Sequence, residues 1–190
     1  MRCLFFSYTL PSRPSRSRVH VWRQLKKLGA VNLQSVWVVP YSVERVKELR
    51  NLRDAIDGWK GEALIIEGKV LNEDQEKRIN KAFIESRDEE YREVIEKCED
   101  FFKELEFEIA RQNFIFAEVE ENEQELEKLK QWLKKVVSRD VVGAPLRKEA
   151  TEKVKMSEEL FQNFALRVYE HVHGKKQERR KTRKDNLSEL

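Results

Sequence analysis

The sequence predicts an α+β fold, and three observations predict it. Four short apolar runs fall within roughly the first 70 residues. The two amphipathic stretches between them each stop at glycine. Beyond Asn72, apolar residues recur almost only at the three- and four-residue steps of helices.

Each element follows from local chemistry. Leu4-Phe5-Phe6-Ser7-Tyr8 is an aromatic run halted by Pro11, as in a buried strand. Pro11 and Pro14 punctuate the following loop, and Ser15 or Ser17 can cap the next helix. There Val21, Leu25 and Leu28 share one face, with Trp22 beside it, placed either to pack at the helix–sheet edge or to stack on a base, while Arg16, Arg23, Lys26 and Lys27 take the other side. Gly29 ends this helix as a C′ residue. Val31-Asn32-Leu33-Gln34 and Val36-Trp37-Val38-Val39 read as paired strands stopped by Pro40. Ser42 caps a second helix with Val46, Leu49, Leu52, Ile56 and Trp59 inward, closed by Gly58 and Gly61; Ala63-Leu64-Ile65-Ile66 is a fourth strand. The order β-α-β-β-α-β is that of a ferredoxin-like module, residues 1–71, with two helices on one sheet face. The other face needs cover from a partner subunit or from the later helices.

An antiparallel helical segment is expected over residues 72–173. Its stripes are Phe83, Tyr91, Val94, Ile95, Cys98, Phe102, Leu105 and Ile109; Leu126, Leu129, Leu133 and Val136; and Ala150, Val154, Phe161, Phe164, Ala165, Val168 and Val172. Gly143 and Pro145 mark the last break. Residues 174–190 lack apolar periodicity and are expected to be a disordered basic tail.

Charge is unevenly placed. The first acidic residue is Glu44, so residues 1–43 carry +7; residues 174–190 carry +4, and a whole-chain charge of +3 leaves the middle at −8. Such asymmetry implies directed contacts with an anionic partner. Cys3 and Cys98 form no CxxC or zinc spacing and sit on apolar faces, which predicts an intracellular, reduced, cytoplasmic protein with both thiols in the core. No apolar run approaches the roughly 20 residues of a membrane helix, and PSRPSRSR replaces a signal-peptide cleavage site.

The block YTLPSRPSRSRVHVWRQLKKLGAVNLQSVWVVP resembles the opening of the ChrB N-terminal domain family. Shared features are the aromatic first strand, the Pro/Ser/Arg loop, a VWRxLKxLGAVxLQ run and a strand ending in Pro. GEALII, the DEEY of Asp88–Tyr91, ENEQELEKLKQWL and RDVVGAP follow in order, so the resemblance spans roughly residues 3–170. It implies a regulatory protein of chromate resistance, a DNA-binding transcriptional regulator, whose full-length relatives carry a further C-terminal sensing domain; here a basic tail is expected instead. The same block is similar to the central module of PaaX-type repressors, which place a winged helix before it, and to the small CRISPR-associated nuclease subunit.

The residues support three function classes. DNA binding would use Arg13, Arg16, Arg18, Arg23, Lys26 and Lys27, helped by Lys175, Lys176, Arg179, Arg180 and Lys181 of the tail. The alternative is a non-catalytic scaffold or oxyanion sensor, with Arg13, Arg16 and Arg18 around a helix N-terminus suited to chromate. A nuclease-like enzyme is disfavoured: the CRISPR-associated family needs an acidic metal ligand after strand one, and Ser7-Tyr8-Thr9-Leu10 has none. His171 and His173 lack cysteine or carboxylate partners in sequence. No catalytic residue, metal or cofactor is implied, and a homodimer formed through the sheet is expected.

Overall fold

The computed structural model describes residues 1–12 and 15–188, with side chains described through residue 174 apart from 13 and 14. The elements run β1 (Arg2–Thr9), α1 (Ser15–Lys27), β2 (Val31–Leu33), β3 (Val36–Pro40), α2 (Val43–Gly58), β4 (Glu62–Lys69), α3 (Glu73–Ala110), α4 (Phe116–Arg139) and α5 (Arg147–Ser188). The four strands form one antiparallel sheet in the order β2-β3-β1-β4. The first and fourth strands are neighbours, with Phe6 opposite Ile65 and Tyr8 opposite Ala63. Phe114 and Ile115 lead into α4, which begins at Phe116. Among the described residues no helix is long and apolar enough to cross a membrane.

The chain divides into two compact units. The first comprises Met1–Glu90 and Val136–Pro145; the second comprises the intervening residues 91–135 and those from Leu146 onward.

In the first unit the two-residue period of the strands sorts side chains onto two sheet faces. Leu4 and Phe6 of β1 and Val39 of β3 pack against Val21 and Leu25 of α1 and Leu49, Leu52 and Ile56 of α2. Cys3, Val38 and Val31 point the other way and meet Ile79 and Phe83 of α3. The second face is therefore covered in part by the first turns of α3. Each buried Val, Leu, Ile or Phe among these contributes roughly 1.5–3 kcal/mol of transfer free energy.

Helix ends follow the expected chemistry, with one correction. Ser42 is the N-cap of α2, its hydroxyl accepting from the Arg45 amide at 3.1 Å. At the other end of α2 the left-handed residue is neither Gly58 nor Gly61 but Lys60, φ +60°. The Lys60 amide bonds the Asp57 carbonyl and the Gly61 amide bonds the Ile56 carbonyl, which makes Lys60 the C′ residue of a Schellman turn. Gly61 is required for a different reason. A Cβ there would lie 2.4 Å from the Thr9 carbonyl oxygen and 2.8 Å from Ile56 Cγ2, where β4 begins against the end of β1.

The second unit buries Val94, Ile95, Cys98, Phe101 and Leu105 of α3, Leu126 and Leu129 of α4, and Ala150, Val154, Phe161, Phe164 and Val168 of α5. Phe101, not Phe102, is the buried member of the adjacent aromatic pair; Lys153 Nζ lies 5.7 Å above the Phe102 ring. Lys130–Glu158 at 2.9 Å and Lys153–Glu99 at 3.0 Å bridge helices within this unit.

Two glycines three positions apart give a paired test. Gly61→Ala should destabilise by about 1–3 kcal/mol through overpacking. Gly58→Ala, where no atom lies within 4 Å of the added methyl, should be neutral or stabilise by roughly 0.5–1 kcal/mol. Urea unfolding of both variants measures the difference; equal effects would contradict the packing described at Gly61.

Candidate nucleic-acid interface

Helix α1 places its apolar and charged residues on opposite sides. Ser17, Val21 and Leu25 are buried, while Arg16, Arg18, Arg23, Lys26 and Lys27 are all exposed. At 100° per residue, Arg16, Arg23, Lys26 and Lys27 project away from the buried face. None of these four is in an ion pair among the described residues. Arg18, at the edge of the face, turns back so that Nη2 donates to the Ser12 carbonyl. Trp22 does not pack at the helix–sheet edge: it is 49% exposed, and Val19 is 45% exposed beside it. The outward surface is thus cationic with apolar contacts interleaved, a composition suited to a phosphate backbone. Lys26 and Lys27 also lie in the last helical turn, where they stabilise α1 against its own dipole by some 0.3–1 kcal/mol each.

Glu48 of α2 bounds this surface. It lines a groove of about 340 Å³ between α1 and α2 together with His20, Gln24 and Lys27. His20 stands edge-on to Trp59, ring centroids 5.3 Å apart, which ties the middle of α1 to the end of α2.

Of the other expected binding residues, Arg13 lies outside the described residues, as do the side chains of Lys175, Lys176, Arg179, Arg180 and Lys181. The described histidines have local partners. His173 Nδ1 is 2.9 Å from the Tyr169 carbonyl, which can only accept, so that nitrogen carries the proton; His171 packs on Phe114 at 5.4 Å. Cys3 and Cys98 are free and buried, and burial pushes both thiols above their ordinary range, which disfavours thiolate chemistry.

Gly29 stops α1 as expected, but the residues packed behind it were not foreseen from the sequence. Gly29 takes φ +75°, its amide bonding the Lys26 carbonyl while the Ala30 amide bonds that of Leu25, a Schellman turn. A Cβ on Gly29 would sit 3.3 Å from both Cβ and the carbonyl oxygen of Arg139, and 3.7 Å from Arg87 Nη1. Behind that turn, Glu90 bridges two guanidinium groups: Arg87 Nη2 at 2.8 Å on Oε1, and Arg139 Nη2 on Oε2. Arg87 is 1% exposed and also donates to Ser86 Oγ at 3.0 Å. Next in sequence, Asp140 accepts from the amides of Val142, Gly143 and Ala144, shaping the loop to Pro145. The LGAV, DEEY and RDVVGAP stretches, far apart in sequence, therefore meet at the C-terminal end of α1. The negative end of the α1 dipole there favours cations. One signal was readable: Arg87 lies four residues after Phe83 and four before Tyr91, a cation on an otherwise apolar stripe.

Removing Glu90 would leave two enclosed guanidinium groups without their shared carboxylate. Glu90→Ala should cost about 3–5 kcal/mol in urea unfolding. Glu158→Ala, breaking the more exposed pair with Lys130, should cost under about 1 kcal/mol. Comparable costs for the two would contradict a structural role for the node.

Comparison with curated proteins and with solved structures finds no match. A family model does match, described as protein ChrB, N-terminal, over residues 18–175. The matched span starts within α1, after the aromatic first strand, and takes in Gly29, Arg87, Glu90 and Arg139. With most of its length matched, the chain belongs to the ChrB N-terminal family.

Proposed function

We propose that this chain is a non-enzymatic, cytoplasmic regulator of chromate resistance that binds DNA through the outward face of α1. The family membership supports the link to chromate resistance. The observation that carries the DNA contact is the row Arg16, Arg23, Lys26 and Lys27, exposed and free of ion pairs among the described residues. We class the βαββαβ unit, with α1 and α2 over one face of a β2-β3-β1-β4 sheet, as ferredoxin-like. Chromate is the effector this reading implies, and DNA titrations with and without chromate test that part.

Four phosphate contacts would make log K fall against log salt with a slope of about −3.6. The Arg16→Ala/Arg23→Ala/Lys26→Ala variant should make the slope shallower by about 2.7 and weaken binding to random duplex DNA with little change in melting temperature. Wild-type affinity in the folded triple variant at low salt would overturn the reading and favour a protein scaffold.

The reading includes a homodimer. Strand β4 ends the sheet order, and Leu64 and Ile66, on the same face, are 57% and 49% exposed. Antiparallel pairing of two copies about Ile65 would set Leu64 opposite the partner's Ile66 twice, covering both and completing the open edge. Light scattering should give a dimer for the wild type and a monomer for Ile66→Lys; a monomeric wild type across micromolar concentrations would contradict it.

A further inference from the structure

The second face of the sheet carries a groove that the DNA reading does not use. It has a volume of about 530 Å³, within the range of small-molecule sites. Phe5 and Leu33 supply an apolar floor, Lys69 and Arg78 stand at its rim, and Gln34 and Gln75 bring amides to it; no lining residue is acidic.

Two features set this groove apart from a solvated surface. First, its cations are uncompensated. Three carboxylates on the neighbouring segments are engaged elsewhere: Glu67 pairs with Arg2, Glu76 with the Met1 amino group at 2.7 Å, and Asp74 faces Lys77 at 3.6 Å. Neither Lys69 nor Arg78 has an ion pair among the described residues. Second, Gln34 holds φ +60° in the two-residue turn joining β2 to β3, a position that favours glycine. Among the described residues, the other two non-glycine residues in that region, Lys60 and Gln112, end helices. Gln34 keeps a long amide side chain where backbone geometry disfavours one, and that side chain lines the groove.

We propose that this groove binds a small organic anion, with an apolar body lying on Phe5 and Leu33 and a carboxylate-like head held by Lys69 and Arg78. An inorganic oxyanion would use the cations alone and leave the apolar floor wet. A neutral apolar molecule would leave two cations unmatched. The combination selects a ligand that has both parts.

The test uses the full chain with 8-anilinonaphthalene-1-sulfonate as fluorescent reporter, octanoate, 1-octanol and inorganic sulfate as competitors. One reporter should bind per chain and be displaced by octanoate, with 1-octanol and sulfate each at least about tenfold weaker. The Lys69→Gln/Arg78→Gln variant, altered only at exposed side chains, should bind octanoate about tenfold more weakly with an unchanged melting temperature. Gln34→Gly should raise the melting temperature and still weaken octanoate binding. Unchanged affinity in the double variant, or 1-octanol or sulfate competing as well as octanoate, would overturn the proposal.

Discussion

The turn at Gly29 is the constraint on which the first unit depends. A helix that ends in the left-handed conformation must reverse within two residues, and here Leu25 and Ala30, at the two ends of that turn, both enter the core. The reversal brings backbone against Arg139 so closely that a single methyl would press on it. Arg87, Arg139 and Glu90 then form a charged floor beneath the turn. Their mutual pairing offsets the desolvation of an arginine that is almost wholly enclosed. Fixing this end of α1 fixes its rotation, because Val21 and Leu25 must face the sheet.

Once that rotation is set, the basic residues have only one direction to go. Arg16, Arg23, Lys26 and Lys27 reach solvent because every third or fourth position between them is committed to the core. Among the described residues, Glu48 of α2 is the one carboxylate that lines the groove beside this surface. Carboxylates cluster instead around Glu104 in α3 and α4. Burial and the crowding of Glu121, Glu125, Glu108 and Glu118 together hold the Glu104 carboxyl above its usual range. α1 carries cations and no carboxylate, unlike the mixed helices that follow, and a one-signed face is what a directed electrostatic encounter uses.

Much of this was legible in the sequence, and the exceptions have physical causes. The strand and helix order, the Ser42 cap and the Gly29 stop depend on local periodicity and side-chain chemistry, which a sequence displays directly. The αL residue at Lys60 was hidden because a nearby glycine is the usual occupant, whereas Gly61 serves the close approach to Thr9. Choosing Phe101 over Phe102 requires knowing the rotation of a long helix to within one residue, which two adjacent aromatics leave open. The Arg87–Glu90–Arg139 node was hidden for a deeper reason. In a chain with 38% charged residues, a buried ion triad differs from surface charge only in its tertiary neighbours. The basic face of α1 was readable, but that the Trp22 ring stays 49% exposed is a tertiary fact the helix pattern does not carry.

The central claim is that the outward surface of α1 is where nucleic acid is contacted. Amide chemical-shift mapping of the full chain, titrated with a random DNA duplex at low salt, tests it most directly. The account predicts that perturbations concentrate on residues 16–27, with the Trp22 indole among the largest, and fade as salt rises. Perturbations confined to other elements, or none at saturating duplex, would contradict it.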